Sequence, residues 1–275
     1  MSNVETENAV APASTTEPGR TVRRGASPCG GSARCARRLG AIRGARPLTT
    51  GTRRRTLLID LSHDVIHGMT TYRGLPGPII SDHLSRAGSR ARYAPGTEFQ
   101  IGRIEMVANT GTYVDAPFHR YPDGKDLSQL PLASIADLPG VVLRAPYARG
   151  RAVTPELLRG LDVAGKAVLV HTGWDEHWGT DRYGGEGSPY LTEETARLLA
   201  ERGARLVGID AHNIDDTTGG TRPVHTLLLA REIPIAEHLC NLRALPDEGF
   251  RFFAVPVKVR GMGTFPTRAF AIVAG

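Results

Sequence analysis

Asp115 and His119 stand four residues apart in the stretch Asn109-Thr-Gly-Thr-Tyr-Val-Asp-Ala-Pro-Phe-His119. A carboxylate and an imidazole held close together can act as an acid/base pair or as two metal ligands. Pro117 lies between them and Gly111 precedes them, so the segment reads as a shaped loop and not as one face of a helix. An Asx turn followed by a surface histidine explains the same residues, and the pair alone does not choose. Tyr113, Phe118, Trp174 and Trp178 offer rings for a pocket around a planar substrate, or simply core packing. His171 closes an apolar run and reads equally as a cleft residue or a structural one. Asp210, Asn213, Asp215 and Asp216 have the composition of a cation site, yet a turn rich in such residues forms without an ion. His63 and His67 follow the first apolar run and could face the same cleft. His238 follows Glu237 and, in an extended segment, would point away from it.

The elements that must hold these residues are short. Residues 56–61, 167–171 and 205–210 are apolar runs of strand length and read as buried strands. Residues 98–107 partly alternate, which predicts a half-buried strand broken near Gly102. Further strands are expected at 141–143, 250–259 and 269–274. Thr154-Pro155-Glu156 marks a helix start, with threonine as cap and proline in first position, and that helix should stop near Gly160. Residues 192–203 read as a second helix, with Thr192 as cap, Gly203 as terminator and Ala196, Leu199 and Ala200 on one face. Residues 224–230 suit a short helix. Strand, helix and strand in this order imply a right-handed crossover, so a single compact α/β domain with a mixed sheet is expected.

Composition narrows the function. No stretch approaches the roughly 18 apolar residues of a membrane span. The net charge of +6 is unevenly spread: residues 1–55 hold eleven arginines, no lysine and three glutamates. The remaining 220 residues therefore carry a net −2, with no basic stripe suited to nucleic acid. Residues 1–55 are poor in bulky apolar side chains and read as a disordered, Arg-rich tail ahead of a catalytic domain at 56–275. Three cysteines, Cys29, Cys35 and Cys240, make an unpromising disulfide framework, and a cytoplasmic setting is expected.

The stretch 109–119 resembles the His-x-Gly-Thr-x-x-Asp-x-Pro-x-His signature of the cyclase superfamily, which includes bacterial kynurenine formamidases and isatin hydrolases. The resemblance continues through Asp60-Leu-Ser-His63, His171-Thr-Gly-Trp174, Val207-Gly-Ile-Asp210 and Gly263-Thr-Phe-Pro-Thr-Arg268, in family order over residues 56–275. It implies a swivelling β/β/α fold, a small-molecule substrate and a homodimer. It also implies metal-dependent hydrolysis of a small amide or lactam. In the binuclear formamidases, one metal takes two signature histidines and the aspartate, which bridges to a second metal held by a downstream histidine and glutamate. Here the resemblance places Asp115, His225 and Glu237 at the second metal, and His119 as general acid/base. Asn109 and Tyr113 stand where the first metal's two histidines would be. A neutral phenol is a poor ligand, so one divalent metal, zinc or manganese, is expected instead of two. With no metal at all, Tyr113, Asp115 and His119 would form an acid/base set suited to cyclisation or dehydration. A catalytically silent binding scaffold is the third reading. Asn109, Phe118, His63 and Trp174 are the expected substrate contacts.

Overall fold

The computed structural model describes residues 56–274. The expected tail, residues 1–55, lies outside them. The first strands are β1 (Thr56–Asp60), β2 (Ile79–Leu84), β3 (Ile101–Glu105), β4 (Tyr113–Asp115), β5 (Leu138–Arg144) and β6 (Ala152–Val153). They are followed by β7 (Ala167–His171), β8 (Tyr190–Leu191), β9 (Leu206–Ile209), β10 (Ile235–Glu237), β11 (Glu248–Phe253), β12 (Thr264–Pro266) and β13 (Phe270–Ala274). Helices are few: α1 (Arg86–Arg90), α2 (Glu193–Glu201) and α3 (Pro223–Ala230), with several single 3-10 turns. None is long and apolar enough to cross a membrane.

Nine strands make one mixed sheet in the order β1-β13-β11-β5-β7-β9-β10-β4-β12. The central β5, β7, β9 and β10 run parallel, and the flanking pairs are antiparallel. The parallel middle explains the unbroken apolar runs, because a strand covered on both faces has no polar side. Alternation then divides each strand between two cores. Val141, Leu143, Val168, Val170, Val207 and Ile209 pack on the face that α2 and α3 cover. Val142, Leu169 and Leu206 pack on the other, with Phe250 and Phe252. The expected α/β domain with a mixed sheet is what forms.

α2 begins as its sequence predicts: the Thr192 side chain accepts the Thr195 N–H, and Gly203 follows the helix in a left-handed conformation. Other elements depart from expectation. The helix expected from Pro155 is a single 3-10 turn, Pro155–Leu158, and Thr154 makes no capping bond. β1 is not buried: it is an edge strand paired only with β13, and Leu57 and Leu58 are exposed. The stretch expected as a half-buried strand at 98–107 is β3, exposed along its whole length, which forms a separate two-stranded hairpin with β2. In both cases the apolar residues suit a strand with a covered face, but among the described residues no second layer lies over them.

Candidate metal centre and its cavity

Strand register builds the centre. Tyr113 and Asp115 share one face of β4, while Val114 turns to the core behind. Glu237 on β10 lies directly across from Tyr113, and Thr264 on β12 directly across from Asp115. Both cross-strand pairs are hydrogen-bonded: the Tyr113 hydroxyl donates to Glu237 Oε2 at 2.6 Å, and the Thr264 hydroxyl donates to Asp115 Oδ1. Gly263 lets this happen. A Cβ there would stand 2.2 Å from the His119 backbone nitrogen, so only glycine allows the loop carrying His119 to lie against β12.

His225 arrives from the opposite side, in the first turn of α3. Pro223 starts the helix, and Asp215 closes it from the loop after β9. One Asp215 oxygen accepts the Val224 N–H at 2.7 Å, and the other accepts the His225 N–H at 3.0 Å. The second oxygen also lies 2.6 Å from His225 Nδ1. A carboxylate can only accept, so Nδ1 carries a proton, and in the neutral imidazole the lone pair is left on Nε2. Nε2 faces Asp115 Oδ2 at 3.7 Å and Glu237 Oε1 at 3.8 Å.

The same accounting fixes His119. Thr264 gives its only hydrogen to Asp115, so the contact of 2.8 Å to His119 Nδ1 must be donated by the imidazole. The lone pair of neutral His119 then sits on Nε2. Asp115, His119 and His225 bring ligand atoms within 4.8 Å of one another. Their exposures separate their uses: the side chains of Asp115 and His225 are 0% and 7% exposed, that of His119 35%.

The centre gathers negative charge around His225. Asp115 Oδ2 is buried and has no hydrogen-bond partner, and leaving such a group unmet costs about 1–3 kcal/mol or more. Burial alone would push the His225 imidazole down, but Asp115, Asp215 and Glu237 around it overcome that and lift it to about 10. Burial pushes the Glu237 carboxyl up, His225 opposes, and Asp115 adds to the rise.

Around Tyr113 the polar groups form a directed chain. Its proton goes to Glu237, so its oxygen accepts from His238 Nε2 at 3.3 Å, and His238 Nδ1 accepts from the Tyr183 hydroxyl at 2.8 Å. The Tyr72 hydroxyl, 3.0 Å from that of Tyr113, donates to the His212 carbonyl. Burial, Glu237 and Tyr72 hold Tyr113 well above the ordinary tyrosine range, so the phenol is a neutral donor. His238 corrects the expectation that it points away: its left-handed backbone (φ 55°) breaks the alternation of β10, and its ring reaches Tyr113.

A cavity of about 870 Å³ opens over the centre, lined by Asn109, Tyr113, His119, His225, Glu237, Tyr72, Asn213, Arg120 and Arg222, among others. Three expected substrate contacts lie elsewhere. Trp174 is buried, and its indole donates to the Tyr183 carbonyl at 2.9 Å. His63 stacks on Trp178 with ring centroids 3.9 Å apart, and burial lowers its imidazole to about 4. Phe118 is half-buried in the 3-10 turn Pro117–His119 and does not line the cavity. The four Asx residues also divide. Asp210 receives both Thr172 donors and the Gly173 N–H, Asp216 pairs with Arg151, and Asp215 holds His225. His171 meets Arg144 at 3.0 Å, away from the cavity lining.

Thr264, Tyr72 and Tyr183 escaped the sequence reading. Thr264 lay inside a matched motif with no role attached, and Asp215 was read as part of a cation site or a turn, not as the carboxylate that holds His225.

Comparisons with known proteins bear on this arrangement. Residues 59–216 match the family model described as "Putative cyclase". The kynurenine formamidase of Salinibacter ruber is 28% identical over 217 residues, 77% of this chain and 95% of that protein. Among solved structures, isatin hydrolase A from Labrenzia aggregata, bound to benzyl benzoate, has a TM-score of 0.68 at 23% identity, covering 80% of this chain and 94% of that one. A predicted metal-dependent hydrolase from Bacillus stearothermophilus has a TM-score of 0.61 at 25% identity, covering 79% and 98%.

Proposed function

The chain belongs to the cyclase family, and from that premise we propose that it is a metal-dependent hydrolase cleaving the C–N bond of a small amide or lactam, in the manner of an arylformamidase. The observation that carries the reading is the buried, unpartnered Asp115 Oδ2, with His225 Nε2 3.7 Å from it and 3.8 Å from Glu237 Oε1. Two carboxylates and an imidazole so grouped suit a cation, which would take the place of the imidazole's second proton. Asp115, His225 and Glu237 would hold one divalent metal, zinc or manganese. When bound, it supplies a water activated near neutral pH and polarises the scissile carbonyl.

The rest of the chemistry belongs to side chains. Asp215 fixes the His225 tautomer and orientation, the support a ligand imidazole needs from behind. Thr264 does the same for His119. Neutral His119, with its lone pair on Nε2, takes a proton from the attacking water as the new C–O bond forms. It returns that proton to the departing nitrogen as the C–N bond breaks. The greater exposure of His119 suits a group that must exchange protons with substrate. Tyr113 keeps Glu237 in place and occupies the position where a second metal would need a histidine. A metal-free route through Tyr113, Asp115 and His119 is less well supported, because the Tyr113 proton is committed to Glu237.

The proposal extends to a homo-oligomer. Support comes from the β2–β3 hairpin, whose Ile79, Ile80, Ile101 and Ile104 are all exposed.

The test is elemental analysis of protein purified without chelator or a nickel column, with hydrolysis of formanilide followed in parallel. About one zinc or manganese per chain, lost together with turnover in His225→Ala, is expected. A chain that hydrolyses amides with no bound metal, even after incubation with zinc and manganese, refutes the metal-dependent reading.

A further inference from the structure

The cavity wall over the centre carries two arginines whose charge is not matched. Arg120 follows His119 directly, and Arg222 precedes the helix turn that presents His225, so each cation stands beside a residue of the centre. Arg120 Nε donates to the Thr226 hydroxyl at 3.3 Å, and that hydroxyl donates to the Arg222 carbonyl at 2.7 Å. Arg222 NH1 donates to the carbonyls of Thr221 at 2.7 Å, Gly219 at 2.9 Å and Asp216 at 3.4 Å. Every partner is neutral. Among the described residues neither guanidinium has a carboxylate at ion-pair distance.

The acids in the lining are otherwise engaged. Glu193 pairs with Arg197 at 2.6 Å. Glu237 lies deep in the centre, accepting the Ile214 N–H and the Tyr113 hydroxyl. The wall therefore presents two cations with unused donors to whatever fills the cavity. A planar guanidinium matches a carboxylate in shape as well as charge. Thr226 links the two arginines, so they sit as a connected pair on one side of the opening. Arg120 is exposed and Arg222 half-buried, which places the pair where an incoming anion meets it before reaching the centre.

We propose that Arg120 and Arg222 form an anion subsite, selecting amides or lactams that carry a carboxylate beside the scissile bond. The proposal rests on the hydrolase reading of the same cavity. A substrate so held presents its carbonyl toward the centre with its charged end at the arginines. Hydrolysis of a neutral amide would lack that second point of attachment.

Binding and turnover separate the two ideas. Calorimetric titration of the protein as purified compares benzoate with benzamide, a pair nearly equal in size that differs in charge. Benzoate should bind about tenfold more tightly, and Arg120→Gln, a change at an exposed side chain, should remove most of that preference. Equal affinity for the two probes overturns the subsite. So does a preference for benzoate that survives in both Arg120→Gln and Arg222→Gln, which would put the anion elsewhere in the cavity. In parallel, N-formylanthranilate is compared with formanilide as substrate. Equal kcat/KM for both leaves the hydrolase standing and removes the subsite. Arginine-dependent benzoate binding with neither amide hydrolysed keeps the subsite and removes the hydrolase.

Discussion

The metal centre and the β2–β3 hairpin are opposites. At the centre, polar groups that water would satisfy are sealed inside: Asp115, Tyr113, Glu237 and His238 are all at most 1% exposed. On the hairpin, apolar groups that a core would cover stand in solvent, with Ile80 and Ile104 directly paired across the strands. Burying polar atoms costs free energy unless each finds a partner, and exposing a contiguous apolar strip costs it as well. In the proposed reading a cation and substrate would complete one region, and a second copy of the chain the other. Each misfit points to what the isolated chain lacks, and the two can be disturbed separately.

The largest effect is expected at Asp115. Asp115→Ala should abolish metal retention and lower turnover by about a thousandfold or more, since the metal and the proton carrier both depend on it. Elemental analysis and amide hydrolysis read this together, and full activity in the variant would remove Asp115 from the chemistry. His119→Gln should leave the metal content unchanged while reducing kcat/KM by about 10²–10⁴. Metal loss in that variant would instead make His119 a ligand, as its place within the 4.8 Å cluster allows.

A change at Tyr113 sharpens the comparison from within the centre. Tyr113→Phe removes the donor to Glu237 and should destabilise the fold by about 1–3 kcal/mol, measured by denaturant unfolding. The double change Asn109→His with Tyr113→His should raise the metal count from one toward two per chain. A count unchanged under excess zinc would show that more than those two side chains governs the number.

On the hairpin, Ile80→Lys with Ile104→Lys should convert an oligomer to monomer without touching the metal, as light scattering would show. A wild-type chain that is already monomeric removes the oligomer from the proposal. The smallest effect is the response to acid. Burial lowers His63 and His212 each to about 4, and His238 well below its ordinary value. Between pH 6.5 and 4 the unfolded chain takes up protons that these three imidazoles refuse, which lowers stability as pH falls. The carboxyls of Asp210 and Glu237, both raised to about 7, take up protons in the folded chain and offset part of the loss. Thermal melts from pH 7 to pH 4 should show the decline, and His63→Phe should make it shallower.

The two regions also differ in how legible they were. Asp115 and His119 lie in one short segment with a glycine and a proline, so local spacing raised them as candidates, and the family pattern chose between a site and a turn. His225 and Glu237 came from the family pattern alone, because nothing local distinguishes them. Thr264 meets Asp115 across 149 positions of sequence through strand register, and no local pattern encodes register between distant strands. His238 was misread because alternation assumes an extended backbone, and its left-handed turn breaks that rule. Central strands such as Ala167–His171 were readable from their apolar runs. β1 was read as buried and β3 as half-buried, since a run of apolar side chains does not reveal whether a second layer exists. Trp174 and His63 show the converse: aromatic types suited to a pocket were used for packing.

Asp215 has a consequence for how the centre can be altered. A single carboxylate stops the backbone at the start of α3 and aims the imidazole beside it. The cap of the helix and the aim of the His225 ring are therefore held by one side chain. Anyone redesigning the centre for another metal cannot rotate that ring alone, because moving it unfastens the helix from which it grows.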